Sequence, residues 1–259
     1  MKYDSIGIGY DATRRADPRI AAVLARLLEA SPGQRLLDVA CGTGNYTRAL
    51  HDQGLDITGV DQSATMLDAA RAKAPETAWH QADVAALPFA DASFAGAICT
   101  LAIHHFTDLE VAFREVARVM DAGRLVILTS TPEQMRAYWL NHYFPDLMQR
   151  SIAQMPDMGA VRASLEQAGF GIEAVEPWFI PPDPIDLFLY CGKHTPSLYL
   201  DPRVRAGIST FSALAARKEV DAGLGLLASD IETGEISRVM QGYASNLGDY
   251  TFIAARKLR

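Results

Sequence analysis

Apolar residues recur along this chain with two periods, and their alternation lays out the elements. Ile20, Val23, Leu24, Leu27 and Leu28 repeat at helical spacing after Asp17-Pro18, a pair suited to a helix start, and Ser31-Pro32-Gly33 stops the run. Leu36 to Ala40 is a short apolar run of buried-strand type with one acid, Asp38, set into it. Gly42-Thr43-Gly44 breaks that run, and Tyr46, Ala49 and Leu50 resume at helical spacing. The rhythm then repeats. Asp56 to Asp61 reads as a second strand, followed by a helix for which Ser63 is a suitable N-cap. Ala78 to Asp83 reads as a third strand, and Phe94 to Thr100, apolar throughout, as a fourth buried on both faces. Leu109, Ala112, Phe113, Val116 and Val119 form a helix face after a Thr107-Asp108 cap, and Leu125 to Leu128 is a fifth strand.

Beyond Thr129 the rhythm changes. Pro132 to Met155 is rich in large side chains, and helical spacing links Met135, Tyr138, Trp139 and His142. Its place after the fifth strand favours a lid over a pocket, with Tyr138, Trp139, His142 and Tyr143 as candidate substrate contacts. A helix packed plainly on the sheet edge is the alternative. Val161 to Ala168 predicts a helix and Phe170 to Trp178 a strand. Pro181-Pro182-Asp183-Pro184 breaks regularity, a helical insertion is expected from about residue 185 to 246, and Asp249 to Ala255 closes as a strand.

Strand, glycine turn, helix is the opening of a doubly wound nucleotide-binding sheet. Glycine is expected at the turn because a Cβ would hold a ligand away from the backbone. A dinucleotide fingerprint would place a third glycine where Thr47 stands. Asp38, just before the turn, would repel a pyrophosphate and attract a free amino group. Asp61 follows Gly44 at close to the separation of about 20 residues expected of a ribose-binding carboxylate. Acids at three successive strand ends, Asp38, Asp61 and Asp83, are hard to explain by packing, since unpaired buried carboxylates are costly.

The run Leu36-Leu37-Asp38-Val39-Ala40-Cys41-Gly42-Thr43-Gly44 resembles motif I of the class I S-adenosylmethionine (SAM) methyltransferases, with Ala40 in place of the motif's first glycine. Val60-Asp61, Ser63 and Met66-Leu67 resemble motif II, and Asp83 with Leu87-Pro88-Phe89 resembles the segment that reads adenine. Glu115, Arg118-Val119-Met120 and Gly123-Arg124-Leu125 match a further family pattern. The opening around Tyr3-Asp4 and Gly9-Tyr10-Asp11 is similar to the N-terminal segment of the ubiquinone/menaquinone biosynthesis group, which folds over the cofactor. The likeness covers residues 1 to 130 and the closing strand.

It implies an α/β fold: a doubly wound, Rossmann-like seven-stranded sheet of order 3-2-1-4-5-7-6, strand 7 antiparallel, with an added helical lid. Residues 1–259 would be a single methyltransferase domain. Within it, 1–30 form an N-terminal cap, 31–130 the cofactor core, 131–157 and 183–246 the acceptor-side insertions, and 158–182 with 247–259 the rest of the sheet. The implied cofactor is SAM, with S-adenosyl-L-homocysteine as product. Its implied contacts are Tyr10, Asp38, Ala40, Cys41, Gly42, Gly44, Asp61, Gln62, Met66, Asp83, Val84 and Leu101. The implied reaction is in-line methyl transfer to a small-molecule acceptor. His105 and His104, after the fourth strand, are the candidate bases, because a histidine near its ordinary pKa can take a proton at neutral pH. Lys193 and His194 in the insertion could bind an acceptor carboxylate or phosphate. A nicotinamide-dependent oxidoreductase and a non-catalytic SAM-binding or partner-binding protein stay open as alternatives.

Composition narrows the partners. Apolar residues make up 49% of the 259, enough for a sizeable core, and the net charge is −7 with a pI near 5.4. That balance disfavours nucleic acid and large substrates. Three scattered cysteines give neither a metal site nor a disulfide framework. No apolar run is long enough to span a bilayer and the first residues lack an export core, so a cytoplasmic monomer or homodimer is expected.

Overall fold

The computed structural model describes residues 13–258. Tyr10 and the rest of the opening segment lie outside them. Seven strands form one sheet: β1 Arg35–Val39, β2 Asp56–Asp61, β3 Trp79–Gln81, β4 Gly96–Thr100, β5 Arg124–Thr129, β6 Phe170–Trp178 and β7 Tyr250–Lys257. Their order is β3-β2-β1-β4-β5-β7-β6, the order expected. The first five run parallel, and β7 is antiparallel to both β5 and β6.

The period-2 pattern sorts side chains between two cores. Leu36, Ile98, Val126, Leu128, Phe252 and Ala254 face one side, with helix α1 (Pro18–Leu28). Leu37, Val39, Ala97, Cys99, Leu125, Ile127, Ile253 and Ala255 face the other. There they meet α4 (Leu109–Val119) and α8 (Met158–Gln167). The local signals act as read: Asp17, Ser63 and Asp108 cap α1, α3 (Ala64–Lys73) and α4, each accepting from a backbone N–H. The short helix α2 (Asn45–His51) follows the glycine turn directly.

The remaining helices gather on the α1 side: α5 Pro132–Arg136, α6 Leu140–Tyr143, α7 Pro145–Ile152, α9 Pro202–Ala206, α10 Ser209–Leu214, α11 Arg217–Thr233 and α12 Ile236–Gly242. The stretch expected as one helix through Met135 to His142 is broken in two, and a third helix follows it. A turn at Ala137–Trp139 separates α5 from α6, and Pro145 starts α7 afresh. Residues 185–195, expected to be helical, are irregular. They leave the proline cluster and fold around Gly192, where a Cβ would sit 2.2 Å from the Tyr199 ring. The third strand stops at Gln81 rather than Asp83, and Phe94 makes only an isolated bridge to Met120 before β4.

Gly123 closes the turn into β5 where a Cβ would lie 1.6 Å from the Ala95 carbonyl oxygen. Gly123→Ala must therefore shift backbone, and we expect a loss of about 1–3 kcal/mol in urea unfolding, the range for overpacking.

Candidate functional site

The carboxyl ends of β1 to β5 open into one cavity of about 320 Å³. This is the edge at which parallel sheets of this topology take ligands. Its floor is the turn after β1. Gly42 has φ +56° and no heavy atom within 4 Å of where a Cβ would stand, so its backbone faces open space. Gly44 has a different reason for being glycine. A Cβ there would lie 2.2 Å from the Trp79 indole, and one on Gly59 would lie 2.3 Å from it. Gly44 does not line the cavity; it makes room for Trp79, whose indole N–H donates to the Ala74 carbonyl at 2.9 Å.

Asp61 ties this turn to β2. Its carboxylate accepts from the Gly42 N–H at 2.8 Å and from the Ser63 N–H at 2.9 Å. Burial pushes the Asp61 carboxyl up, and the backbone N–H groups of Ser63, Gly42 and Gln62 hold it back without reversing the rise. A carboxylate has about four lone-pair positions, so this one keeps acceptor capacity for ligand hydroxyls. Gln62, Met66, Asp83 and Val84 continue the wall, and exposed Asp83 accepts from the Ala85 N–H. Ala40 (φ +55°) and Leu101 (φ +54°) end β1 and β4, and both line the cavity in the left-handed region that L side chains avoid. Strain of this kind gathers where a ligand needs the backbone bent. Cys41 lines the cavity with its thiol pushed up by burial and by the charges of Asp38 and Asp61.

Asp38 was expected to meet a ligand amino group, and it does not line the cavity. It points behind the turn, 1% exposed, accepting from the Thr47 hydroxyl at 2.6 Å. Its Oδ1 is buried without a hydrogen-bond partner among the described residues. Thr47, standing where a dinucleotide site has glycine, thus serves the buried acid.

The opposite wall comes from the insertion. Met135, Met155, Phe188, Leu189, Ile208 and Tyr250 supply an apolar surface, and Ser151 and Thr210 a polar spot within it. Tyr250 is there because β7 runs antiparallel, which brings its first residue to the carboxyl edge of β5. His104 and His105 sit in a short 3-10 helix after β4 with ring centroids 3.8 Å apart, and both line the cavity. Arg14 and Asp186 bridge the two walls, joined at 2.6 Å, and the Tyr46 hydroxyl at the turn donates to Asp186 at 3.1 Å.

Tyr138, Trp139, His142 and Tyr143 do not line this cavity, against the expectation that they would. The turn before α6 aims Tyr138 and Trp139 into the insertion's own core. There the Tyr138 ring meets Tyr190 at 4.3 Å, the Trp139 ring meets Tyr199 at 5.5 Å, and the Tyr138 and Tyr199 hydroxyls bond at 2.6 Å. Tyr143 donates to Asp230 at 2.8 Å, and His142 packs edgewise on Tyr143. Lys193 and His194 line a second cavity and have protein partners: Asp249 at 2.7 Å and the Ile180 carbonyl at 2.9 Å. Phe188, Ile208, Ser151 and Thr210 were missed by sequence reasoning. Tyr250 could have been found from the direction of the last strand.

An adenosyl amino-acid ligand fits this donor set. Asp61, Asp83, Val84 and the open backbone from Ala40 to Gly42 line one continuous side of the cavity and offer acceptors and backbone N–H groups to it. Among the described residues no cluster of His, Cys, Asp or Glu could hold a metal ion, and no helix is long and apolar enough to cross a membrane.

Residues 37–128 match the family described as "Methyltransferase domain". The chain is 31% identical over 163 residues to the demethylmenaquinone methyltransferase of Beutenbergia cavernae, across 55% of this chain and 68% of that one. It is 31% identical over 169 residues to the 2-phytyl-1,4-naphtoquinone methyltransferase of Thermosynechococcus vestitus, across 55% and 75%. A solved structure from Anabaena variabilis, described as a methyltransferase of an antibiotic biosynthesis pathway, superposes with TM-score 0.84 at 34% identity, covering 93% of this chain and 98% of its own.

The Asp38 carboxyl is pushed up to about 7, chiefly by burial; the Thr47 hydroxyl opposes this and the Asp61 charge adds to it. The folded chain keeps a proton here that the unfolded chain releases near pH 4, at about its ordinary value. Stability is therefore lost as pH rises from about 4 to about 7. Asp38→Asn should gain stability relative to the parent across that window and level off above it, as read by urea unfolding at each pH.

Proposed function

Because the chain belongs to the class I S-adenosylmethionine-dependent methyltransferase family, we propose that it moves a methyl group from SAM to a small-molecule acceptor held against the insertion. The observation that carries this reading is one cavity with two unlike walls. The sheet edge offers a glycine bend and the Asp61 carboxylate, and the insertion offers an apolar chamber. An oxidoreductase reading has no third glycine to support it. A protein that bound the cofactor only to dock a partner would not need a chamber on the far side of it.

When bound, the cofactor supplies an electrophilic methyl carbon on its sulfonium, so no covalent intermediate on the protein is required. The chain's task is to hold, align and dry the reactants. Asp61 would accept from the ribose hydroxyls, while Asp83 and the Val84 N–H would read adenine. Gln62, Met66, Ala40, Cys41, Gly42 and Leu101 would shape the rest of that half, with Tyr10 from the opening segment a further proposed contact. Alignment of the acceptor in line with the breaking C–S bond can supply roughly 7–11 kcal/mol of barrier reduction. Met135, Phe188 and Ile208 are all buried, and they would keep water from the transferred group. Where the acceptor must lose a proton, His105, with the His104 ring tilted against it at 3.8 Å, is the proposed base.

S-adenosylhomocysteine should raise the melting temperature while NAD leaves it unchanged. In calorimetry Asp61→Ala should weaken that binding by about 1–3 kcal/mol, since the ligand loses a charged acceptor. Equal affinity in the variant would remove Asp61 from the site. With an acceptor in hand, His105→Gln should cut kcat by about 10²–10⁴ if it takes the proton. An unchanged kcat would assign proton loss to solvent.

A further inference from the structure

The acceptor wall carries its own chemical signature. Arg14 is the one lysine or arginine lining the cavity among the described residues, and its guanidinium is held by Asp186 through Nε at 2.6 Å and Nη2 at 3.4 Å. Asp186 is 2% exposed and also takes the Tyr46 hydroxyl. An anionic acceptor that recruited Arg14 would strand this buried carboxylate without its counter-charge, an arrangement far worse than leaving the pair intact. The other carboxylates of the cavity, Asp61, Asp83 and Asp108, add a negative field that opposes an anion further. Among the described residues the acceptor wall holds no unpaired carboxylate for a cation either. Its one carboxylate is already neutralised by Arg14, and its other main surfaces are Met135, Met155, Phe188, Leu189 and Ile208.

Within that apolar wall two hydroxyls meet. Ser151 on α7 and Thr210 on α10 are both buried, line the cavity, and bond to each other at 3.0 Å. Each hydroxyl brings one O–H, and their mutual bond uses only one of the two. No other bond to either hydroxyl is present among the described residues. The pair therefore retains one donor and spare lone pairs in a place where an unmet polar group is costly.

We propose that the acceptor is an uncharged, largely apolar molecule carrying a hydroxyl or carbonyl oxygen that the Ser151–Thr210 pair reads. The proposal rests on the acceptor-side reading of the cavity given above. Ser151 and Thr210 are specificity residues here: they touch the acceptor's polar handle while the apolar wall buries its body. Carboxylate and phosphate isosteres are rejected because Arg14, the one lysine or arginine lining the cavity among the described residues, is held by Asp186, and ammonium isosteres because the carboxylate of the acceptor wall is held by Arg14.

The test uses the full chain saturated with S-adenosylhomocysteine and a set of matched probes: 1-naphthol, 1-naphthoate and 1-naphthylmethylamine. In calorimetry 1-naphthol should bind at least about tenfold more tightly than either charged isostere, a difference expected from one unsolvated charge. A charged member that binds as well as 1-naphthol, or a set in which none binds, overturns the proposed acceptor class. The parent should also prefer 1-naphthol to 1-methylnaphthalene, and the near-isosteric Ser151→Ala/Thr210→Val variant should lose that preference. If the variant, with its melting temperature near the parent's, keeps the preference, the hydroxyl pair is not the reader. Titration of the parent with S-adenosylhomocysteine alone separates the two levels. No binding there ends the methyltransferase reading, whereas binding there with a charged probe winning ends only the acceptor class.

Discussion

A half-buried carboxylate holds the two ends of the site in register. Asp61 takes the Gly42 N–H from the turn after β1 and the Ser63 N–H at the start of α3. Charge-assisted bonds to backbone N–H groups are among the stronger hydrogen bonds available to a folded chain. They fix the turn against β2 without the help of a cation, and the balance is informative. Burial still outweighs those bonds and leaves the carboxyl raised. The same carboxylate is thus a structural tie between the turn after β1 and the start of α3, and it lines the cavity.

Around that tie the backbone departs from its preferred conformations. Ala40 and Leu101 hold positive φ at the ends of adjacent strands, and Gly42 and Gly44 do so in the turn between β1 and α2. Trp79 fills the space that side chains on Gly44 and Gly59 would claim. The bend is consequently braced from behind by an indole and left open in front. Division of labour between the two glycines explains why both are needed, one for access and one for packing.

The insertion builds the other half of the cavity and draws its stability from the sheet face shared with α1. Tyr138, Trp139, Tyr190 and Tyr199 form its aromatic centre, and Gln134 fastens α5 to the last strand through the Leu247 and Tyr250 carbonyls and the Thr251 hydroxyl. The largest rings of the insertion are therefore spent on holding it together. Smaller side chains from α7, α10 and the irregular stretch near Phe188 are left to face the chamber. Arg14 and Asp186 then lock the segment before α1 to that stretch, assisted by the Leu187 N–H bond to the Thr13 carbonyl at 3.0 Å.

The sequence by itself determined the layered sheet, its caps and the glycine-turn half of the cavity. Those depend on local periods and on residues close in the chain: the alternation of Leu36 with Leu37, the glycines at 42 and 44, and Asp61 at its strand end. Strand order came through resemblance rather than spacing. Tertiary structure alone decided which way side chains face when several burial partners compete. Helical spacing shows that Tyr138, Trp139 and Tyr143 are buried, but not whether a ring meets a ligand or Tyr199. In the same way an acid before a glycine turn can face the turn or lie behind it. Asp38 lies behind because Thr47, one turn into α2, offers it a hydroxyl there. The Ser151–Thr210 pair joins residues far apart in the chain, so no local pattern could encode it; only the packing of α7 on α10 brings those hydroxyls within 3.0 Å.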